Sequence, residues 1–173
     1  MAGPNAESKA VGSQKESLAK ETSEDDALRL AFWTELFERC KGILPEFANK
    51  SVGTGPWAGA RGPSRGLLYQ MGVYVGYTVV QLRIDYGKGE EATNVAAFDR
   101  LFKQWDPIEV DFRHELRWDR LENHRVCCVT MRRDGAGFRT SRDKWPELQK
   151  LMIETMSRLQ HALDPRLKSL DGI

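Results

Sequence analysis

At Gly66 the apolar residues of this chain change period, and that change decides the fold class. Before it, Leu28, Phe32, Leu36 and Cys40 recur four residues apart with Trp33 and Phe37 beside them. That is the spacing of one buried helix face, closing near Gly42. After it, "GLLYQMGVYVG" and "YTVVQLRIDYG" read as two strands separated by a turn around Gly76. In the second, Val80, Leu82 and Ile84 share one face, and Val79, Gln81, Arg83 and Asp85 share the other. The two periods do not interchange, so the chain must pack helices against a sheet.

The alternation of periods then repeats. "KGEEATNVAAFDRLFKQWDPIEVDFR" is helical through Asn94, Phe98, Leu101, Phe102 and Trp105, and Pro107 marks a new start or a kink before Ile108 and Phe112. "HELRWDRLENHRVCCVTMRRDG" reads as a hairpin, with strands at 116–121 and 125–132 and "ENH" as its turn. A long helix starts at Asp143, tolerates Pro146 in its first turn and is ended or kinked by Pro165. Its stripe is Trp145, Leu148, Leu151, Met152, Thr155, Met156, Leu159 and Leu163. The order α-ββ-α-ββ-α predicts an α+β fold, an antiparallel sheet of about four strands with helices packed on one face.

With 173 residues, one domain is expected. Residues 1–26 hold no aromatic residue and carry a net charge of −3, a composition that cannot offset its ordering entropy. They are expected to form a disordered tail, with helix starting at Ser23 to Asp26 and a single α+β domain over residues 27–173. The whole chain is nearly balanced at +1, which gives no bulk drive toward nucleic acid or membrane. The remainder beyond the tail, at +4, permits anion binding. Cys40, Cys127 and Cys128, like His114, His124 and His161, show no metal-ligand spacing and no disulfide framework. The expectation is a cytoplasmic protein without metal or cofactor. There is no signal-like apolar segment and no run near the roughly 20 apolar residues of a membrane span.

"FWTELFERC", "FANKS", "SRGLLY", "VQLRIDYG", "IEVDFRHELRWDRLENHRVC" and "LMIETMSRLQHALDPRLKSL" together resemble a bacterial and archaeal family, DUF4268, a domain of unknown function. The likeness spans roughly residues 31–170. The resemblance implies a setting among restriction or DNA-processing proteins, because such domains often follow a PD-(D/E)XK nuclease-like domain. Where the family has glycine after the "IE…F" helix, this chain has Arg113, so a glycine stop is lost. The nuclease centre itself is absent, since "DYGKGEEAT" has the wrong spacing and "ELQK" lies on a helix.

Two surfaces stand out as binding candidates. "WAGARGPSRG" lacks both GK[ST] and GxGxxG and precedes a strand, so it is no nucleotide loop. It reads as a helix-to-strand connection of about ten residues that offers Trp57, Arg61 and Arg65 to an anion or a partner. The hairpin sets Arg117, Arg120, His124 and Arg125 near Arg83 on the neighbouring strand, with Arg132 and Arg133 at the strand end. Trp118 and Tyr69 are candidate stacking platforms for bases. The competing reading is a solvated sheet face whose arginines pair with Asp119, Glu122 or Asp85. "VCCVTM" suits a strand core better than a nucleophile served by His124. "GAGFRTSRD" suits a helix cap at Thr140 to Asp143 better than a phosphate loop, and Met152 with Met156 suits core. The expected function is a non-enzymatic accessory module, linked to a nuclease or phage-defence type system. It would contact nucleic acid or a protein partner through Trp57, Arg61, Arg65, Arg83, Trp118, Arg120 and Arg125. Alternatives are a self-associating interaction domain and, more weakly, an enzyme using a pocket of scattered residues.

Overall fold

The computed structural model describes residues 5–120 and 124–170, with side chains from residue 17 onward. Helix α1 (Asn5–Cys40) and a short α2 (Pro45–Ala48) lead into strands β1 (Trp57–Arg61), β2 (Leu67–Val73) and β3 (Tyr77–Ile84). Helices α3 (Glu91–Phe102) and α4 (Trp105–Phe112) follow, then β4 (Arg117–Asp119), β5 (Cys127–Asp134) and α5 (Trp145–Leu167). The strands form one antiparallel sheet in the order β1-β2-β3-β5-β4. The α+β architecture is as expected, with five strands in place of about four.

The additional strand is the glycine-rich stretch. Trp57, Ala58, Gly59, Ala60 and Arg61 pair in register with Gly72, Met71, Gln70, Tyr69 and Leu68, so this is an edge strand and not a connection. Its small residues show no large-apolar alternation, although Ala60 is buried beneath it. The turn that follows is closed by the Gly62 N–H donating to the Leu67 carbonyl at 2.8 Å. Gly66 takes φ +79°, and a Cβ there would stand 2.7 Å from the Tyr86 ring, so only glycine fits.

Other boundaries moved for local reasons. Helix α1 begins at Asn5, well before Ser23, and ends as expected with Gly42 at φ +79°. A break at Lys103 and Gln104 separates α3 from α4, so Pro107 sits in the first turn of a new helix. Arg113 caps α4 in the left-handed region (φ 64°), its N–H donating to the Glu109 and Val110 carbonyls, so the glycine-type stop survives without glycine. Pro165 lies inside α5, which continues to Leu167. The hairpin strands are Arg117–Asp119 and Cys127–Asp134, while Glu122 and Asn123 of its expected turn lie outside the described residues.

The core lies between the sheet and the helices. Phe32, Trp33 and Leu36 of α1 meet Trp145, Met152, Met156, Leu159 and Leu163 of α5, with Phe32 and Trp145 edge-to-face at 5.2 Å. Leu67, Tyr69, Met71 and Val73 of β2 and Val80, Leu82 and Ile84 of β3 point into it. Polar side chains of the core find partners: Gln149 accepts from Arg39 and donates to the Phe32 carbonyl, and the Tyr69 hydroxyl donates to Asp164 at 2.6 Å. No helix among the described residues is long and apolar enough to cross a membrane.

Candidate functional site

Alternation puts every second residue of each strand on the face opposite the helices, and register sets those residues in rungs across the sheet. One rung reads Trp57, Gly72, Val79 and Arg132. The next reads Gly59, Gln70, Gln81, Thr130 and Arg117, and the third Arg61, Leu68, Arg83, Cys128 and Asp119. This uncovered face holds a recess of about 560 Å³ whose lining comes from strands and strand-connecting segments alone.

One wall of the recess is a column of rings. Tyr74 and Tyr77, which flank the β2–β3 turn, stack at 4.4 Å and 11°. The Trp57 ring meets Tyr74 edge-to-face at 5.8 Å, and the Arg132 guanidinium covers Tyr77 at 3.7 Å. Trp57 lies directly over Gly72, where a Cβ would stand 2.8 Å from its Cζ3, and its side away from the sheet is open, leaving the residue 39% exposed. The floor is polar: the Gln81 amide donates to Gln70 at 2.9 Å and accepts from the Thr130 hydroxyl at 3.3 Å. Arg117, Arg120 and His124 also line the recess, with Asp119 the acid among them.

Most arginines bordering this face are paired, as the solvated-face reading anticipates, and Arg61 is exposed at its edge. Arg117 bonds Asp119 at 2.9 Å, Arg132 bonds Asp134 at 2.7 Å, and Arg120 makes a two-pronged pair with Asp99 at 2.7 and 2.9 Å. Arg83 and Arg125 both clamp Asp85, at 2.7 and 2.8 Å. Burial works to raise the Asp85 pKa, but hydrogen bonds and charge from the two arginines outweigh it and hold the carboxyl below its usual value. The Arg120 hydrogen bonds hold Asp99 low in the same way. Pairs as exposed as those of Arg117, Arg120 and Arg132 are screened by water and salt, so an incoming anion can replace the carboxylate.

The sequence candidates are divided by this geometry. Trp57 and Arg120 line the recess, while Arg83 and Arg125 meet at Asp85 beyond it. Arg61 and Arg65 are exposed at the far end of β1 and in the turn after it. Trp118 borders the recess, but its ring packs edge-on against Phe98 and Phe102, and its indole N–H donates to Glu109 at 3.0 Å. Tyr69 is buried in the core and offers no platform. Arg132, from the expected basic surface, joins Tyr74 and Tyr77 in the wall, two rings that the sequence did not single out. Their signal was "YVGY", two tyrosines bracketing a turn.

The remaining motifs resolve as structure. Burial pushes the Cys128 thiol up to about 11 and the Cys40 thiol up to about 12, the opposite of an activated nucleophile. Arg139 of "GAGFRTSRD" is bound by Asp25 at 2.6 Å and Arg142 by Glu35, so acids of α1 occupy the arginines of that loop. Thr140 accepts the Gly137 N–H instead of capping α5, and Met152 and Met156 are core. Among the described residues no group of His, Cys, Asp and Glu is arranged to hold a metal ion.

No curated protein and no solved structure matches the chain. Residues 28–167 match the family model described as a domain of unknown function, DUF4268. That span takes in everything from the apolar face of α1 to the last turn of α5, the ring column and its arginines included. The chain therefore belongs to the DUF4268 family of domains of unknown function.

Proposed function

We propose that this protein is a non-enzymatic binding module that holds nucleic acid on the uncovered face of its sheet. The observation that carries the reading is the recess itself, where Trp57, Tyr74 and Tyr77 stand beside Arg117, Arg120 and Arg132. Rings with a rim of weakly held arginines suit a polyanion that bears flat bases. The protonated, buried thiols and the paired carboxylates favour binding over catalysis. Its setting, on this reading, is a nuclease or phage-defence system in the cytoplasm; the family resemblance supports the former and cysteines kept as thiols the latter.

Anisotropy titrations of labelled single and double strands of DNA and RNA across a salt series test it. Three rim arginines predict log K falling with log salt at a slope of about −2 on single strands. Absent or salt-insensitive binding contradicts the proposal and leaves a protein partner as the ligand.

A second reading, self-association through the helical side, is favoured by an apolar recess of about 950 Å³ between α1 and α5. Pro146 and Ile153 line it beside Ile43, which is 58% exposed. Light scattering that finds a monomer at all concentrations removes it.

A further inference from the structure

We infer that the nucleic acid this face takes is a single strand, with an unpaired base laid on the outer side of the Trp57 indole and phosphates further along the strand on Arg117 and Arg120. The inference rests on the binding reading above and narrows it to one physical form of ligand.

What the face offers is ring surface. In the column Trp57, Tyr74, Tyr77, Arg132, the inner faces are spent on one another: the tyrosines stack at 4.4 Å and Arg132 covers Tyr77 at 3.7 Å. Trp57 is backed by Gly72 and open on its far side. A free indole face finds its complement in the face of another flat ring. In a duplex the base faces are buried in the stack and only their edges reach the grooves, so no base face is available to it. An unpaired base has that face free, and stacking on an aromatic side chain is tolerant of base identity.

The position of the charges agrees. Arg117 and Arg120 belong to β4 and the segment after it, whereas Trp57 lies on β1 at the opposite edge of the sheet. A strand crossing the face meets the ring column on one side and exposed, weakly paired guanidiniums on the other. Between them lies the polar rung Gln70, Gln81 and Thr130. Gln81 retains hydrogen-bonding capacity beyond its bonds to those two neighbours and can meet a base edge. The recess, about 560 Å³, is of the size that encloses one small organic group, and among the described residues no helix lines it.

The test uses full-length protein and three labelled probes: a single strand of about 12 nucleotides, the same strand with abasic sites at its centre, and a hairpin duplex of equal length. The single strand is run as DNA and as RNA, and tighter binding of either form to the intact protein supports the inference. Expected is preference for the intact strand over both other probes by about 10-fold or more, the loss that one or two base stacks produce. Trp57→Ala should weaken the intact strand by a similar factor and leave the abasic strand unchanged, while Trp57→Phe should restore part of the loss. Equal binding of all three probes, undiminished in Trp57→Ala, overturns the single-strand inference and leaves the face a backbone-binding surface. If no probe binds, both this inference and the reading beneath it fail.

Discussion

Replacing Gly72 by alanine is expected to separate folding from binding. A Cβ at that position would stand 2.8 Å from Cζ3, 3.0 Å from Cε3 and 3.1 Å from Cη2 of Trp57. Carbon atoms in contact prefer about 3.5–4.0 Å, so the ring must move by roughly 1 Å. It can do so cheaply, because the outer side of Trp57 faces solvent and the Gly72 backbone is not in the left-handed region. Loss of the edge contact with Tyr74 costs about 0.5–1.5 kcal/mol. Alanine in a strand interior returns about 0.5–1 kcal/mol relative to glycine. Stability in urea melts should therefore stay within about 1 kcal/mol of the parent. The displaced indole no longer lies flat on the face, and single-strand affinity should fall by about 1–3 kcal/mol, one base stack. Melts and anisotropy titrations on the same preparation measure both. Unchanged affinity with unchanged stability would refute the role given to the Trp57 ring. A stability loss of about 3 kcal/mol or more would refute the claim that the ring is free to yield.

Arg113→Gly should raise stability by about 0.5–1 kcal/mol: it relieves roughly 1–2 kcal/mol of left-handed strain and concedes part of that to the unfolded chain, as denaturant midpoints will report. Asn94→Leu should cost about 2–5 kcal/mol, because the fully buried Asn94 accepts the Tyr86 N–H at 2.8 Å and donates to the Arg125 carbonyl at 2.9 Å; a melt within 1 kcal/mol of the parent would contradict this. Asp85, whose folded pKa lies below its unfolded value near 3.9, contributes stability that is full above that value and lost as pH falls through the folded one. Asp85→Asn should thus destabilise the protein at pH near 7 by about 1–2 kcal/mol and by much less near pH 2–3, read from melts at both values.

Val80, Leu82 and Ile84 announced their face because three large apolar residues alternate with polar ones, and the structure buries those three. β1 gave no such signal: Ala58, Gly59 and Ala60 are too small to mark a period, and an edge strand needs only one side paired. The position of Trp118 could have been read from its neighbours. Arg117 and Asp119 share a face, so the residue between them must point at the helices, as it does toward Phe98 and Phe102. The same parity places Tyr69 in the core with Leu67 and Met71. The ring column was beyond reach, since Trp57, Tyr77 and Arg132 lie on three strands and meet only once register is known.

Photo-crosslinking of a single-stranded oligonucleotide to the full-length protein, with the attached peptides mapped by mass spectrometry, tests the central claim most directly. The account predicts adducts at Trp57, Tyr74 and Tyr77, diminished by salt and abolished by excess unlabelled strand. Adducts confined to α1 and α5, or spread evenly over the surface, would contradict it.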